Sequence, residues 1–192
     1  MIARPKLFVV GGPNGAGKST FAHEFLLQYP DFLFLNADEI AREIQPANAH
    51  DARIDAGRRF LTRLAELRSV GANLLIESTL SGLSLAQQIK QFVAEGYYIG
   101  VIYVVVPSAQ LSVSRVAGRV LQGGHHVPTE DIIRRFGRSK KNFWRTYRLY
   151  ADEWQLIMNS ESGFVYVARF ENHNLTIQEP QLFQQFVDEQ AN

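Results

Sequence analysis

Short runs of aliphatic and β-branched residues alternate along this chain with longer stretches of helical spacing. Residues 6–11 read as a first strand that enters a glycine-rich turn, and a helix follows over about 19–29, stopped by Pro30. Residues 32–35 form a second short strand. A helix then opens near Asn36, with Asn36 as its N-cap and Glu39 as capping-box partner. A longer helix spans about 51–70, with Gly71 as its stop. The run 72–76, apolar apart from Asn73, has the composition of a parallel strand covered on both faces.

Ser84 and Gln87 read as a capping-box pair for a helix that runs to Glu95. Residues 99–106 are the fourth strand, ended by Pro107, and helical patterning resumes over 108–121. A Gly-Gly-His-His loop intervenes before a helix that Pro128 begins, where a missing N–H costs little. The series Phe143, Tyr147, Ala151, Trp154 and Met158 keeps helical spacing to about Asn159. Residues 164–170 are a last strand and 180–189 a closing helix. Strands that alternate with helices predict an α/β fold with a mostly parallel sheet, and no repeat or linker divides residues 1–192, so one domain is expected.

The glycine-rich turn changes this from a fold to a chemistry. Gly12-Pro13-Asn14-Gly15-Ala16-Gly17-Lys18-Ser19 matches G-x-x-x-x-G-K-[ST] without a gap, between an apolar strand and a helix that continues through Thr20. Glycines at this spacing let backbone N–H groups turn inward around phosphates, and the following helix adds its positive end. Lys18 can then reach the β- and γ-phosphates and Ser19 can hold Mg²⁺, which implies ATP and Mg²⁺ as cofactors. The same loop occurs in ABC-transporter ATPases, but their L-S-G-G-Q element is missing: the nearest string is Leu80-Ser81-Gly82-Leu83-Ser84.

Two acids stand where strands end, the edge at which open α/β sheets hold their ligands. Asp38 fits a helix N-terminus, and it also fits a general base that takes the acceptor's hydroxyl proton. Glu77 closes an apolar strand and reads either as a partner of Mg²⁺-bound water or as a clamp on the acceptor. Thr79 can donate a hydrogen bond to the same acceptor.

Charge is concentrated rather than large. Residues 115–148 hold nine Lys and Arg against two acids, whereas the remaining chain holds eleven against seventeen. Such a segment suits a local anionic ligand. Arg115 and Arg119 share one helix face, and Arg135 follows beyond the loop. Arg119 and Arg135 are the expected catalytic cations and Arg115 a substrate contact, on a lid of about 115–140 that excludes water. Arg134 points about 100° away from Arg135 and serves a different surface. His126 is a candidate acceptor contact. The aromatic and basic run 143–150 reads as core packing, which argues against a nucleic-acid partner.

The absence of cysteine excludes disulfides and thiolate metal sites and fits the cytoplasm. No run approaches the roughly 18 apolar residues of a membrane span.

Together these features resemble the zeta-toxin-like P-loop kinases, in a compact branch. The likeness rests on residues 12–20, Asn36-Ala37-Asp38-Glu39, Glu77-Ser78-Thr79-Leu80, the arginine-bearing lid with Gly-Gly-His-x-Val-Pro, and Asp152-x-Trp154 with Asn159-Ser160. The resemblance implies a three-layer kinase-type P-loop NTPase fold with the third strand beside the first. It also implies that Asp38 is the base, that Glu77 and Thr79 touch substrate, and that Lys18 and Ser19 hold ATP and Mg²⁺. The family's best-known acceptor is the 3′-hydroxyl of UDP-N-acetylglucosamine, and its toxins pair with an antitoxin, for which these residues carry no signal. The expected function is transfer of the γ-phosphoryl group to a hydroxyl of a small-molecule acceptor such as a nucleotide sugar. The alternatives are a nucleic-acid-directed kinase that uses the basic helix, and a regulatory ATP-binding module without an acceptor.

Overall fold

The computed structural model describes residues 4–44, 49–124 and 126–191; side chains at positions 38, 41, 42, 44, 49–54 and 191 lie outside that description. The chain runs β1 (Lys6–Gly11), α1 (Lys18–Gln28), β2 (Leu33–Asn36), α2 (Ala37–Ile44), α3 (Ala49–Ser69), β3 (Leu74–Ser78), α4 (Ser84–Ala94) and β4 (Tyr98–Val105). It continues with α5 (Ala109–Leu121), α6 (Thr129–Arg145), a 3₁₀ turn (Tyr147–Leu149), β5 (Glu153–Ser160), β6 (Gly163–Glu171), β7 (Asn174–Ile177) and α7 (Pro180–Ala191).

These strands form one sheet in the order β2-β3-β1-β4-β5-β6-β7. The first five positions pair in parallel, β6 adds antiparallel to β5, and β7 adds antiparallel to β6. β3 does lie beside β1, in register from Leu7 against Leu74 to Gly11 against Ser78. Alternation along β1 splits the core into two layers. Leu7 and Val9 pack with Leu64 and Leu67 of α3, Ile89 and Phe92 of α4, and Phe143 of α6. Val10 packs on the opposite face with Ala22 of α1. Helices on both faces of the mostly parallel sheet that the patterning predicts make the three-layer α/β fold that the family resemblance implies. Val116, Val127 and Ile132 form a smaller cluster between α5 and α6.

Three expectations need correction. The helical series does not reach Asn159: α6 ends at Arg145 and residues 153–160 are a strand between β4 and β6. Phe143, Tyr147 and Trp154 are indeed buried core residues, but they belong to a helix, a 3₁₀ turn and a strand. Within β5 the buried positions include Trp154 and Leu156, a period of two that the helical spacing masked. Ser84 does not cap α4; it is the first helical residue, and Leu83 holds the N-cap position without a side-chain bond. β7 is a further strand that patterning did not predict.

Two tyrosine hydroxyls lie in this core. Tyr103 donates to Ser139 Oγ at 2.9 Å, and Tyr147 donates to the Gly82 carbonyl at 2.6 Å. Burial disfavours the phenolate, pushing Tyr147 up to about 12 and Tyr103 above its ordinary value. A phenol that folds with a raised value stabilises the protein fully below its unfolded value of about 10, and that stability is lost as pH rises towards 12. Melting temperature is therefore expected to hold between about pH 7 and 9 and to fall steeply above about pH 10. The fall should be shallower in Tyr147→Phe, measured by circular dichroism; equal slopes in both proteins would contradict this assignment.

Candidate active site

The loop between β1 and α1 is shaped by glycines that no other residue could replace at two points. Gly12 has φ 147°, and a Cβ there would stand 1.9 Å from the Val104 carbonyl oxygen. Gly17 has φ 91°, and its Cβ would stand 2.4 Å from Asn159 Nδ2. Gly17 is also the N-cap of α1 and has no side chain with which to cap it, and the helix presents its positive N-terminal end to the loop. Gly12, Pro13 and Ala16 are buried behind the loop, whereas Asn14, Gly15, Gly17, Lys18, Ser19 and Thr20 line an open cleft of about 640 Å³. That volume suits a small-molecule site.

Glu77 organises the floor of the cleft. It lies near the end of β3, with Val10 of β1 opposite it on one side and Asn36 of β2 on the other. Ser19 Oγ donates to Glu77 Oε1 at 3.2 Å, and Asn36 Nδ2 donates to Glu77 Oε2 at 3.2 Å. The Lys18 ammonium stands 3.9 Å from Oε1 and donates to the Pro13 carbonyl at 3.1 Å. The Lys18 and Glu77 side chains are only 8% and 10% exposed, so water screens this pair little. Asn36 is both the last residue of β2 and the residue directly before α2, and its amide donates to the carboxylate.

A hydroxyl and a carboxylate side by side at a helix N-terminus are hard oxygen donors that fit Mg²⁺ held jointly with phosphate oxygens. Among the described residues no group of three or more His, Cys, Asp or Glu forms a metal cage.

Beyond β3 the chain makes a tight bend. Leu80 takes φ 52°, and its buried side chain covers Gly11, where a Cβ would meet Leu80 Cδ1 at 2.3 Å. Asn142 of α6 donates to the Leu80 carbonyl at 2.8 Å. Flanking it, Thr79 and Ser81 both line the cleft with their hydroxyls 2.9 Å apart.

Three arginines from the α5–α6 pair line the same cleft: Arg115, Arg119 and Arg135. Arg115 donates to the Ser160 carbonyl at 2.9 Å, and Arg135 stands 3.4 Å from Asp131 Oδ2. Arg134 pairs with Asp131 at 2.7 Å away from the cleft. With Lys18, the described lining residues carry four cations against the single carboxylate of Glu77, a field suited to a polyphosphate.

The structure thus brings together Asn14, Gly15, Gly17, Lys18, Ser19, Thr20, Glu77, Thr79, Arg115, Arg119 and Arg135. His126 is exposed between α5 and α6 and is not among the lining residues. His125 lies outside the described residues. Asp38 is the second residue of α2, directly beyond the end of β2, and its side chain lies outside the description. Sequence reasoning missed Ser81, Ser84, Phe60 and Leu61, which also line the cleft. Phe60 and Leu61 reach it only because α3 packs there, and no local signal marks them.

Comparison with known proteins gives a family and a fold. The family model described as Zeta toxin matches residues 2–169. An uncharacterised protein of Haemophilus influenzae is 35% identical over 125 residues, covering 64% of this chain and 86% of that protein. Among solved structures, a chain of the AvrRxo1-ORF1:-ORF2 complex with ATP superposes with a TM-score of 0.75 at 18% identity, over 100% of this chain and 66% of that one. A chain of the PezAT toxin–antitoxin system of Streptococcus pneumoniae gives 0.62 at 16% identity, over 97% and 85%. At these identities the structural likeness shows the fold.

Proposed function

Because the chain belongs to the zeta toxin family, we propose that it is an ATP- and Mg²⁺-dependent kinase that moves the γ-phosphoryl group onto a hydroxyl of a small acceptor. The observation that carries this reading is the convergence of the glycine loop, Lys18, Ser19, Glu77 and three lid arginines on one cleft. The ATP in the related AvrRxo1 complex supports the same donor.

In this scheme the loop amides and the N-terminus of α1 bind the β- and γ-phosphates, and Lys18 neutralises them. Ser19 would hold Mg²⁺, which when bound would supply charge neutralisation for the phosphates. Glu77 would help to hold the metal rather than clamp the acceptor, because its Oε1 accepts a hydrogen bond from Ser19 Oγ. The acceptor then lies against Thr79, Ser81 and Ser84. Asp38 takes the proton of its hydroxyl as the oxygen attacks the γ-phosphorus, and the bond to the β-phosphate oxygen breaks, releasing ADP. Arg115, Arg119 and Arg135 face the charge that develops on the equatorial and leaving oxygens. The α5–α6 pair is the lid that keeps water from competing with the acceptor.

The test is ADP release with and without a panel of nucleotide sugars, free sugars and oligonucleotides, in Mg²⁺ and in chelator. Acceptor-stimulated release that needs Mg²⁺ and changes little with salt is expected for a nucleotide sugar. Stimulation by oligonucleotides that weakens steeply with ionic strength would transfer the function to nucleic acid. No stimulation across the panel would leave nucleotide binding without a kinase.

A further inference from the structure

The phosphate-binding loop is steered from outside by a residue 143 positions further along the chain. Asn159, next to last in β5, donates through Nδ2 to the Ala16 carbonyl at 2.9 Å. That carbonyl and the Gly17 N–H belong to one peptide group. In a trans peptide the two point in opposite directions, and the structure has no cis peptide bond among its described residues. Holding the Ala16 oxygen outward against β5 therefore turns the Gly17 N–H inward, towards the space that the loop encloses.

The contact is close as well as directional. Asn159 Nδ2 would stand 2.4 Å from a Cβ on Gly17, so only glycine lets the amide approach this peptide. Phe164, the register partner of Asn159 on β6, lies 3.5 Å from the same imaginary Cβ. Its ring meets Phe21 of α1 edge-on, with centroids 5.8 Å apart. The next residue, Ser160, accepts the hydrogen bond from Arg115 through its carbonyl at 2.9 Å. The end of the β5–β6 hairpin thus touches the loop, the first turn of α1 and a lid arginine.

We propose that Asn159 is a positioning residue for phosphate recognition: it fixes the orientation of the Ala16–Gly17 peptide so that the Gly17 amide meets the bound phosphates. The inference rests on the reading that this loop binds a nucleotide. Without the amide donor, the peptide is free to rotate, and a phosphate loses one of its aimed N–H groups.

The test compares wild type with Asn159→Leu and Asn159→Asp by equilibrium titration with Mg·ATP, Mg·ADP and inorganic pyrophosphate. Because the effect acts on phosphate contacts alone, affinity should fall about tenfold or more for all three ligands by a similar factor. The Gly17 amide proton, followed by NMR, should shift downfield on adding Mg·ADP to wild type and should not do so in either variant. Thermal melting identifies the temperature range in which each variant is folded, and the titrations are made there. Folded variants that bind within twofold of wild type, or whose Gly17 amide shifts normally, would overturn the inference. A wild type that binds neither ADP nor pyrophosphate would instead sink the reading beneath it.

Discussion

Replacing Asp38 with asparagine is expected to lower phosphoryl transfer by about 10²- to 10⁴-fold while leaving Mg·ATP affinity unchanged. β2 ends at Asn36, which stands opposite Glu77, and Asp38 follows two residues later in the first turn of α2. Its backbone is therefore at the carboxyl edge of the sheet, beside the cleft. Asparagine keeps the size and the helix-terminal character of aspartate but cannot take a proton. A residue that served only the helix would cost a fraction of a kcal/mol of stability on this change. Near-normal transfer with a small loss of melting temperature would remove Asp38 from the mechanism.

The second large effect is expected at Lys18. Lys18→Met keeps the length of the side chain and removes the ammonium proposed to neutralise the phosphates. Loss of one electrostatic contact of this kind typically lowers turnover by about 10²- to 10³-fold, and here nucleotide affinity should fall as well. The buried position adds a second cost, because Glu77 loses the cation 3.9 Å from its Oε1 and is left with the Ser19 and Asn36 donors. Turnover, affinity and melting temperature should be measured on the same sample. A variant that turns over normally would show that the ammonium does not serve the γ-phosphate.

The loop from Gly12 to Thr20 was legible because its requirements are local: glycines for positive φ, one lysine, one hydroxyl, and a strand and helix on either side. The order of alternating elements likewise made the layered α/β fold readable. The stretch after Arg145 was misread for an equally physical reason. Residues 143, 147, 151, 154 and 158 are spaced as on a helix, and Phe143, Tyr147 and Trp154 are indeed buried, yet three different elements deliver them to one core. Periodicity reports burial, and burial alone does not choose between a helix and a turn followed by a strand.

That misreading hid the most informative contact. Only when residues 153–160 form a strand beside β4 does Asn159 arrive at the Ala16 carbonyl. The lid arginines show the opposite case. Helical spacing alone put Arg115 and Arg119 on one face and separated Arg134 from Arg135, and Arg115, Arg119 and Arg135 do line the cleft. Phe60 and Leu61 could not be found in advance, because a helix wall is assigned to a cleft only by tertiary packing.

Titration of a non-hydrolysable ATP analogue into the wild-type protein asks whether this loop grips a triphosphate together with Mg²⁺. Saturable binding of one nucleotide per chain is expected, with a Kd below about 1 mM, that weakens when Mg²⁺ is chelated and is lost in Lys18→Met. Heat-silent titrations, or binding indifferent to both the metal and Lys18, would contradict it.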